Sequence, residues 1–217
     1  MQRPCVVVLG GSFDPVHNGH VALADYFLDL LAPATLRVIP AGNPWQKNGL
    51  NAKPEHRVAM IERAFGPQKH GLGIDQQEIH RHTATYSIDT LRALRAELGP
   101  DTSIAFLIGA DQLQKLHTWR DWQQLFDYAH LCAASRPGFV LDAPNVDPAV
   151  VAAFAKRKGT AEQIRSTPYG LTTIGTGLSV DISATEVRDA IANGAQPTSL
   201  LPPGVLDYIQ QHHLYQS

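Results

Sequence analysis

Residues 5–20 read CVVVLGGSFDPVHNGH. The apolar and mostly β-branched run Cys5 to Leu9 has the length and composition of a buried strand, which Gly10-Gly11 ends abruptly. Pro15 and Asn18-Gly19 keep the next stretch irregular until Val21. Ala22, Leu23, Tyr26, Phe27, Leu30 and Leu31 then recur at helical spacing, predicting a helix from about His17 or Asn18. Without Cβ atoms at Gly10 and Gly11 a ligand can approach the backbone closely, and the free N–H groups of the first helical turn favour an anion, a phosphate above all. His17 and His20 stand three apart and project to one side of the helix entrance, where Gly19 leaves room. Taken singly, a Gly-Gly turn is only a tight strand-to-helix connection, and histidines at a helix start can be solvated or caps. The combination with Ser12-Phe13-Asp14-Pro15 selects phosphate binding. A zinc site would need about three or four protein ligands, and no tightly spaced partner cluster accompanies these histidines.

Working outward, 217 residues with 44% hydrophobic and 18% charged side chains describe one folded domain spanning 1–217. The net charge of −2, with both signs interspersed, provides no basic field for duplex nucleic acid or an anionic membrane, so the ligand is expected to be small. Two cysteines, Cys5 and Cys132, make no disulfide framework and suit a reducing cytosol. The first apolar run is too short for a signal-peptide core, and no run is long enough to span a bilayer, so a cytoplasmic protein is expected.

Pro33 stops the first helix and Thr35 to Ile39 reads as a second strand, completing a β-α-β unit. The fold class predicted is therefore α/β, an open parallel sheet with helices on both faces. The loop Pro40 to Leu50 lies beyond the carboxyl end of that strand, where such folds bind ligands, and Lys47 in it is open to two readings, a solvated lysine or a phosphate contact. Pro54 starts a structural helix whose Glu55, Arg57, Glu62 and Arg63 read as its wet face. Leu72 to Ile79 reads as extended, with His80 and His82 on a polar edge if it continued. Tyr86-Ser87 opens a further helix with Ser87 as N-cap and Gly99-Pro100 as its stop.

Ser103 to Ile108 is a continuous apolar run suited to a central parallel strand, and Gly109-Ala110-Asp111 follows at its carboxyl end. Asp111 there is placed either to accept from ribose hydroxyls or to cap a helix. Leu131 to Ala134 is a short strand followed by Arg136, fit for a phosphate or a base. Residues 139–170 read as a peripheral insertion with one helix around Pro148 to Arg157. Leu171 to Ile174 forms the last strand. Ser183 and Glu186 then fit a capping box, and the Ser183 and Thr185 hydroxyls with the Arg188 guanidinium line a second anion site.

Two of these segments resemble a known superfamily. Residues 10–20, GGSFDPVHNGH, resemble the signature of the nucleotidyltransferases that carry an H-x-G-H motif, with His17-Asn18-Gly19-His20 intact. Ile182-Ser183-Ala184-Thr185-Glu186-Val187-Arg188 resembles their second signature, Ile-Ser-Ser-Thr-x-Ile-Arg, with Ala184 and Val187 as departures. Within the superfamily, the nicotinate mononucleotide adenylyltransferases are the closest in pattern. Tyr86-Ser87-Ile88-Asp89-Thr90-Leu91 is similar to their Ser-Tyr-Thr-x-Asp-Thr-Leu, and Gly109-Ala110-Asp111-Gln112-Leu113 with His117-Thr118-Trp119 is similar to the segment whose tryptophan stacks on the nicotinate ring. Pro44-Trp45-Gln46-Lys47 departs from their Pro-Pro-His-Lys at Gln46.

The resemblance implies a Rossmann-like sheet and adenylyl transfer from ATP to nicotinate mononucleotide, giving deamido-NAD and pyrophosphate, with Mg²⁺ accompanying ATP. It implies that His17 and His20 donate to the α-phosphate and that Gly10, Gly11, Ser12, Phe13, Lys47, Ser183, Thr185 and Arg188 surround the ATP phosphates. Tyr86, Ser87, Gly109, Asp111, Trp119 and Arg136 would hold the mononucleotide. A helix-start box at Thr118 and Asp121 would leave Trp119 able to stack while Trp122 enters the core. Another acceptor, nicotinamide mononucleotide or phosphopantetheine, and a silent nucleotide sensor on the same fold remain the alternatives. A monomer or a small homo-oligomer is expected.

Overall fold

The computed structural model describes residues 4–44, 49–66, 71–134, 146–175, 178 and 182–216. Strand β1, Cys5–Gly11, lies at the centre of a six-stranded sheet and pairs in parallel with β2, Thr35–Pro40, and with β4, Ser103–Gly109. The remaining strands, β3 (Leu72–Ile74), β5 (His130–Ala134) and β6 (Thr172–Gly175), extend it in the order β3-β2-β1-β4-β5-β6, parallel throughout. The strand order reverses between β1 and β4. In an open parallel sheet the crevice outside the strand ends at that point is where ligands bind.

Two cores follow from the period-two alternation of buried strands. Val7 and Leu9 of β1 face one layer with Leu36, Val38, Ala105 and Leu107, covered by α1 (Asn18–Leu31), α2 (Pro54–Phe65), α6 (Ala161–Ser166), α7 (Ala184–Ala192) and α8 (Pro203–Gln211). Val6 and Val8 face the other with Ile104, Phe106 and Ile108, covered by α3 (Ser87–Leu98), α4 (Ala110–Gln114), a pair of 3-10 segments over 116–127, and α5 (Pro148–Lys156). The α/β architecture with helices on both faces is as the sequence predicts.

Several local expectations are corrected. β3 stops at Ile74 because Asp75 turns the chain: its Oδ1 accepts the Gln77 N–H at 3.0 Å, a side-chain bond that competes with the strand ladder. His80 and His82 consequently sit exposed after a turn, not on a strand edge. Tyr86, not Ser87, occupies the α3 N-cap position. Thr118 and Asp121 form no helix-start box. The Thr118 hydroxyl donates to the Lys115 carbonyl at 2.7 Å, and Asp121 adopts φ 49, a left-handed conformation that separates the two 3-10 segments. Trp122 is partly buried against the second core, as read.

Arg57, read as part of a wet face, is 1% exposed, and its Nη1 donates to the Ser12 carbonyl at 2.8 Å. Burial lowers the pKa of its guanidinium, an effect opposed by the Asp14 carboxylate nearby. In the stretch read as an insertion, the described residues 146–170 carry α5 and also α6, which has a Thr160/Gln163 capping box; Val150, Phe154 and Ile164 are fully buried or nearly so, packed into the two cores. Arg95 ties this region together, donating to the carbonyls of Gly99, Thr102, Tyr128 and Pro168.

Candidate active site

A cleft of about 540 Å³ opens at the carboxyl ends of β1 and β4. Gly10, Gly11, Ser12, His17, Gly19 and His20 line it from the β1–α1 connection, Gly109 and Asp111 from the end of β4, Tyr86 and Ser87 from the start of α3, and Ser183 and Thr185 from α7. Trp119 completes the wall. Most of the sequence-predicted residues are thus brought together, from five separate segments. Lys47 and Arg136 lie outside the described residues.

The histidines are fixed by local geometry. His17 is the N-cap residue of α1 and 7% exposed; its main-chain N–H donates to His20 Nδ1 at 3.2 Å, and the two rings lie 3.8 Å apart between centroids. With Nδ1 accepting, the hydrogen of the neutral His20 ring resides on Nε2, the nitrogen suited to donate to an incoming oxygen. A Cβ at Gly19 would stand 3.0 Å from the His17 Nδ1, so this glycine makes room for an imidazole, as expected. The two strand-end glycines serve the protein as well as a ligand: a Cβ at Gly10 would meet the Phe106 ring at 3.3 Å and one at Gly11 the Phe13 ring at 3.1 Å. One helix amide expected to face a ligand is engaged otherwise, since the Asn18 N–H donates to the Leu200 carbonyl at 2.9 Å.

Two expected phosphate contacts also take different places. The Phe13 side chain is fully buried in the core beneath the cleft and does not line it. Arg188 is likewise absent from the lining; its Nη1 donates to the Asp14 carbonyl at 2.7 Å and its Nη2 to Thr185 Oγ1 at 3.1 Å. A long guanidinium that finds a main-chain carbonyl and a hydroxyl within reach binds the loop, and so joins the segment 182–188 to the segment 10–20. Ser183 caps α7 by accepting the Glu186 N–H at 3.1 Å, which leaves its own O–H as a donor.

Around Trp119 the wall combines Phe106 and Tyr86 with the polar side chains of Ser87, Asp111, Gln112, Lys115 and Arg120. The indole stands edge-on to Phe106 with centroids 6.4 Å apart, and its Nε1 is buried without a hydrogen-bond partner among the described residues. Arg120 lies over the Tyr86 ring at 4.9 Å. Sequence reading missed Glu78, which lines the cleft on the turn that follows β3. The Thr90 hydroxyl donates to it at 2.6 Å, and burial raises the pKa of its carboxyl against the opposing pull of that bond and of Arg81. The local pattern carries no sign of Glu78, because its partner Thr90 comes from another segment.

A parallel sheet whose reversal point carries a glycine turn, two histidines on a helix entrance and a hydroxyl-capped second helix is the site of a nucleotidyltransferase. The cytidylyltransferase-like family model matches residues 8–190. The chain belongs to this family, among the nicotinate-nucleotide adenylyltransferases. It is 64% identical over 213 residues to a probable nicotinate-nucleotide adenylyltransferase of Herminiimonas arsenicoxydans, covering 98% of this chain and 97% of that one. It is 40% identical over 217 residues to one of Laribacter hongkongensis, covering 100% and 97%. Among solved structures, the Plasmodium falciparum nicotinic acid mononucleotide adenylyltransferase complexed with NaAD superposes with a TM-score of 0.74 at 18% identity, covering 98% of each chain, and shares the fold. Among the described residues no helix is long and apolar enough to cross a membrane.

Proposed function

We propose that this chain transfers the adenylyl group of ATP to nicotinate mononucleotide, yielding deamido-NAD and pyrophosphate, as a step of NAD biosynthesis. The observation that carries the reading is the 2.7 Å bond from Arg188 Nη1 to the Asp14 carbonyl, which, outside the cleft lining, joins the two segments that each contribute residues to it.

The mononucleotide phosphate is already a nucleophile. One of its oxygens attacks the ATP α-phosphorus in line, a new P–O bond forms, and the bond from that phosphorus to the bridging oxygen of the β-phosphate breaks with its electron pair leaving on pyrophosphate. No covalent enzyme intermediate is needed, so the protein's work is to position and to neutralise. His20, with its hydrogen on Nε2, and His17 donate to the α-phosphate oxygens. The Ser183 hydroxyl at the N-cap of α7 and the Thr185 hydroxyl on its first turn hold the β- and γ-phosphates with the main chain at Gly10, Gly11 and Ser12. Arg188 acts on this end through the loop it binds, and Lys47 and Arg136 are proposed as further phosphate contacts. Trp119 stacks on the pyridine ring, Tyr86 and Ser87 bound its pocket, and Gly109 leaves open space beside Asp111, which accepts from ribose hydroxyls.

Among the described residues no three His, Cys, Asp or Glu side chains gather as a metal site. Magnesium is proposed to accompany ATP as part of the substrate, where it would neutralise phosphate charge. The near-neutral charge and two buried free cysteines support a cytoplasmic enzyme, monomer or small homo-oligomer, that meets neither nucleic acid nor membrane.

The test is magnesium-dependent pyrophosphate release from ATP with nicotinate mononucleotide, nicotinamide mononucleotide and phosphopantetheine offered separately. Strong preference for the first is expected. Preference for another acceptor would overturn the substrate, and ATP binding without release from any would point to a sensor.

A further inference from the structure

The loop that carries the histidines is held by a residue far from it in sequence. Asp14 is 1% exposed, and a buried carboxylate persists only with its oxygens satisfied. Its Oδ2 accepts the Asn51 N–H at 2.7 Å, and its Oδ1 accepts the Ala52 N–H at 3.0 Å and the Tyr215 O–H at 2.7 Å. Two of these three donors are main-chain amides of the segment before α2. The third is a phenol that lies 201 residues away in the chain, beyond the end of α8.

The path by which the phenol arrives is itself costly. After α8 the chain adopts left-handed conformations at His213, φ 50, and at Tyr215, φ 62. A bulky aromatic residue rarely occupies this region, and such a conformation lasts only where surrounding contacts over-determine it. Leu214 and Tyr215 pack against the first core, and the Leu214 N–H donates to the Ile209 carbonyl at 3.0 Å, so the segment is folded back onto the body of the protein. Neither Asp14 nor Tyr215 lines the cleft. Asp14 stands three residues before His17, in a loop already bound through its Ser12 carbonyl by Arg57 and its Asp14 carbonyl by Arg188. The Asp14 side chain is a further handle on that loop, beside the bonds that Asn18 makes at its far end. Burial and the adjacent carboxylate both push the Tyr215 phenol upward from its ordinary pKa, so it is a donor at every working pH.

We propose that Tyr215 is a positioning residue for adenylyl transfer: its O–H fixes the Asp14 carboxylate and, through it, the loop that presents His17 and His20 to the α-phosphate. The inference rests on the proposed function for the reaction it serves and on the geometry alone for the contact.

Tyr215→Phe removes one oxygen and keeps the ring. Loss of a hydrogen bond to a charged group, expressed at the histidines, is expected to lower kcat about tenfold while both KM values stay within about twofold. Asp14→Asn with Tyr215→Phe should be no slower than Asp14→Asn alone, because the phenol acts through that carboxylate. Leu214→Ala, which loosens the same segment but keeps the hydroxyl, should lower Tm and leave kcat within about twofold when measured well below it. Tyr215→Phe with unchanged kcat, or effects of the two substitutions that multiply, overturns the proposal. The imidazole NMR signals of His17 and His20 decide it without turnover: they should move in Tyr215→Phe and not in Leu214→Ala, and unmoved signals in Tyr215→Phe overturn it. Should the unaltered protein release no pyrophosphate with any acceptor, the functional reading fails, and those signals still decide the role of Tyr215.

Discussion

The main-chain N–H of His17 donates to the ring Nδ1 of His20 at 3.2 Å, so the backbone at one histidine sets the tautomer of the other. The bond directs the donor nitrogen of the neutral ring to Nε2. In the proposed reaction, His20→Ala removes that donor from a site where charge redistributes over the α-phosphate. Loss of one such donor costs about 2.7–4 kcal/mol in the transition state, so kcat should fall by roughly two to three powers of ten. Thermal unfolding should be little changed, since His20 is only partly buried. Pyrophosphate release and a melting curve measured side by side check both halves, and full turnover in the variant would remove His20 from the chemistry.

Trp119 lines the cleft while its buried Nε1 has no hydrogen-bond partner among the described residues. Stacking on a nucleotide base is worth about 1–3 kcal/mol by alanine substitution, and a pyridine ring is comparable. Trp119→Ala should raise KM for nicotinate mononucleotide by roughly one to two powers of ten and leave KM for ATP within about twofold. Trp119→Phe should recover much of the loss. Equal rises in both KM values would show that the tryptophan supports the fold and does not contact the ring.

His130, at the start of β5, is fully buried and uses both ring nitrogens: Nδ1 accepts the Leu171 N–H at 3.1 Å, which leaves Nε2 to donate to the Thr167 carbonyl at 2.9 Å. Burial, and secondarily the Arg95 charge, lower its pKa from 6.5 to about 4, against the opposing effect of the Thr167 bond. The unfolded chain binds the proton first, so stability from this group is complete above pH 6.5 and is lost as pH falls toward about 4. The span corresponds to roughly 3 kcal/mol. Urea midpoints taken between neutral pH and the acid end of that window should fall steeply, and His130→Asn should flatten the profile. An equally steep profile in the variant would assign the acid sensitivity elsewhere.

A methyl group at Gly42 would collide with the main-chain carbonyl of Glu78, and a backbone oxygen cannot swing aside as a side chain does. Gly42→Ala should therefore displace the turn after β3 that brings Glu78 to the cleft, costing about 1–3 kcal/mol of stability and raising KM for the mononucleotide. Gly11→Ala, which meets only the Phe13 ring at 3.1 Å, is the milder comparison. Equal melting temperatures for Gly42→Ala and the unaltered protein would show that the turn yields freely.

How far the sequence could be read follows from how local each signal is. The runs Cys5–Leu9 and Ser103–Ile108 are visible because a parallel strand buried on both faces is a continuous apolar string, and both appear as strands extended by the glycines that follow. His17, His20 and Ser183 are visible for a related reason, since each stands in a short motif with its own capping geometry. The end of β3 depended on one side chain, Asp75, outcompeting the ladder, and Asp121 broke an expected helix by turning left-handed. Glu78 and Tyr215 carry no local mark, and the place of Arg188 depends on an Asp14 carbonyl 174 positions away. Composition along a chain does not encode which distant carbonyl a guanidinium will find.

The bonds of Asn18 have a consequence for the order of events in synthesis. Its main-chain N–H and side-chain Nδ2 reach the carbonyls of Leu200 and Ser199, so the entrance of the first helix is completed by residues made some 181 positions later. A ribosome therefore releases the two histidines early and their frame late. Because contacts of such separation form only after the intervening chain is available, a growing chain carries the reactive side chains without the site, and the capacity to consume ATP arrives abruptly, with the last helices.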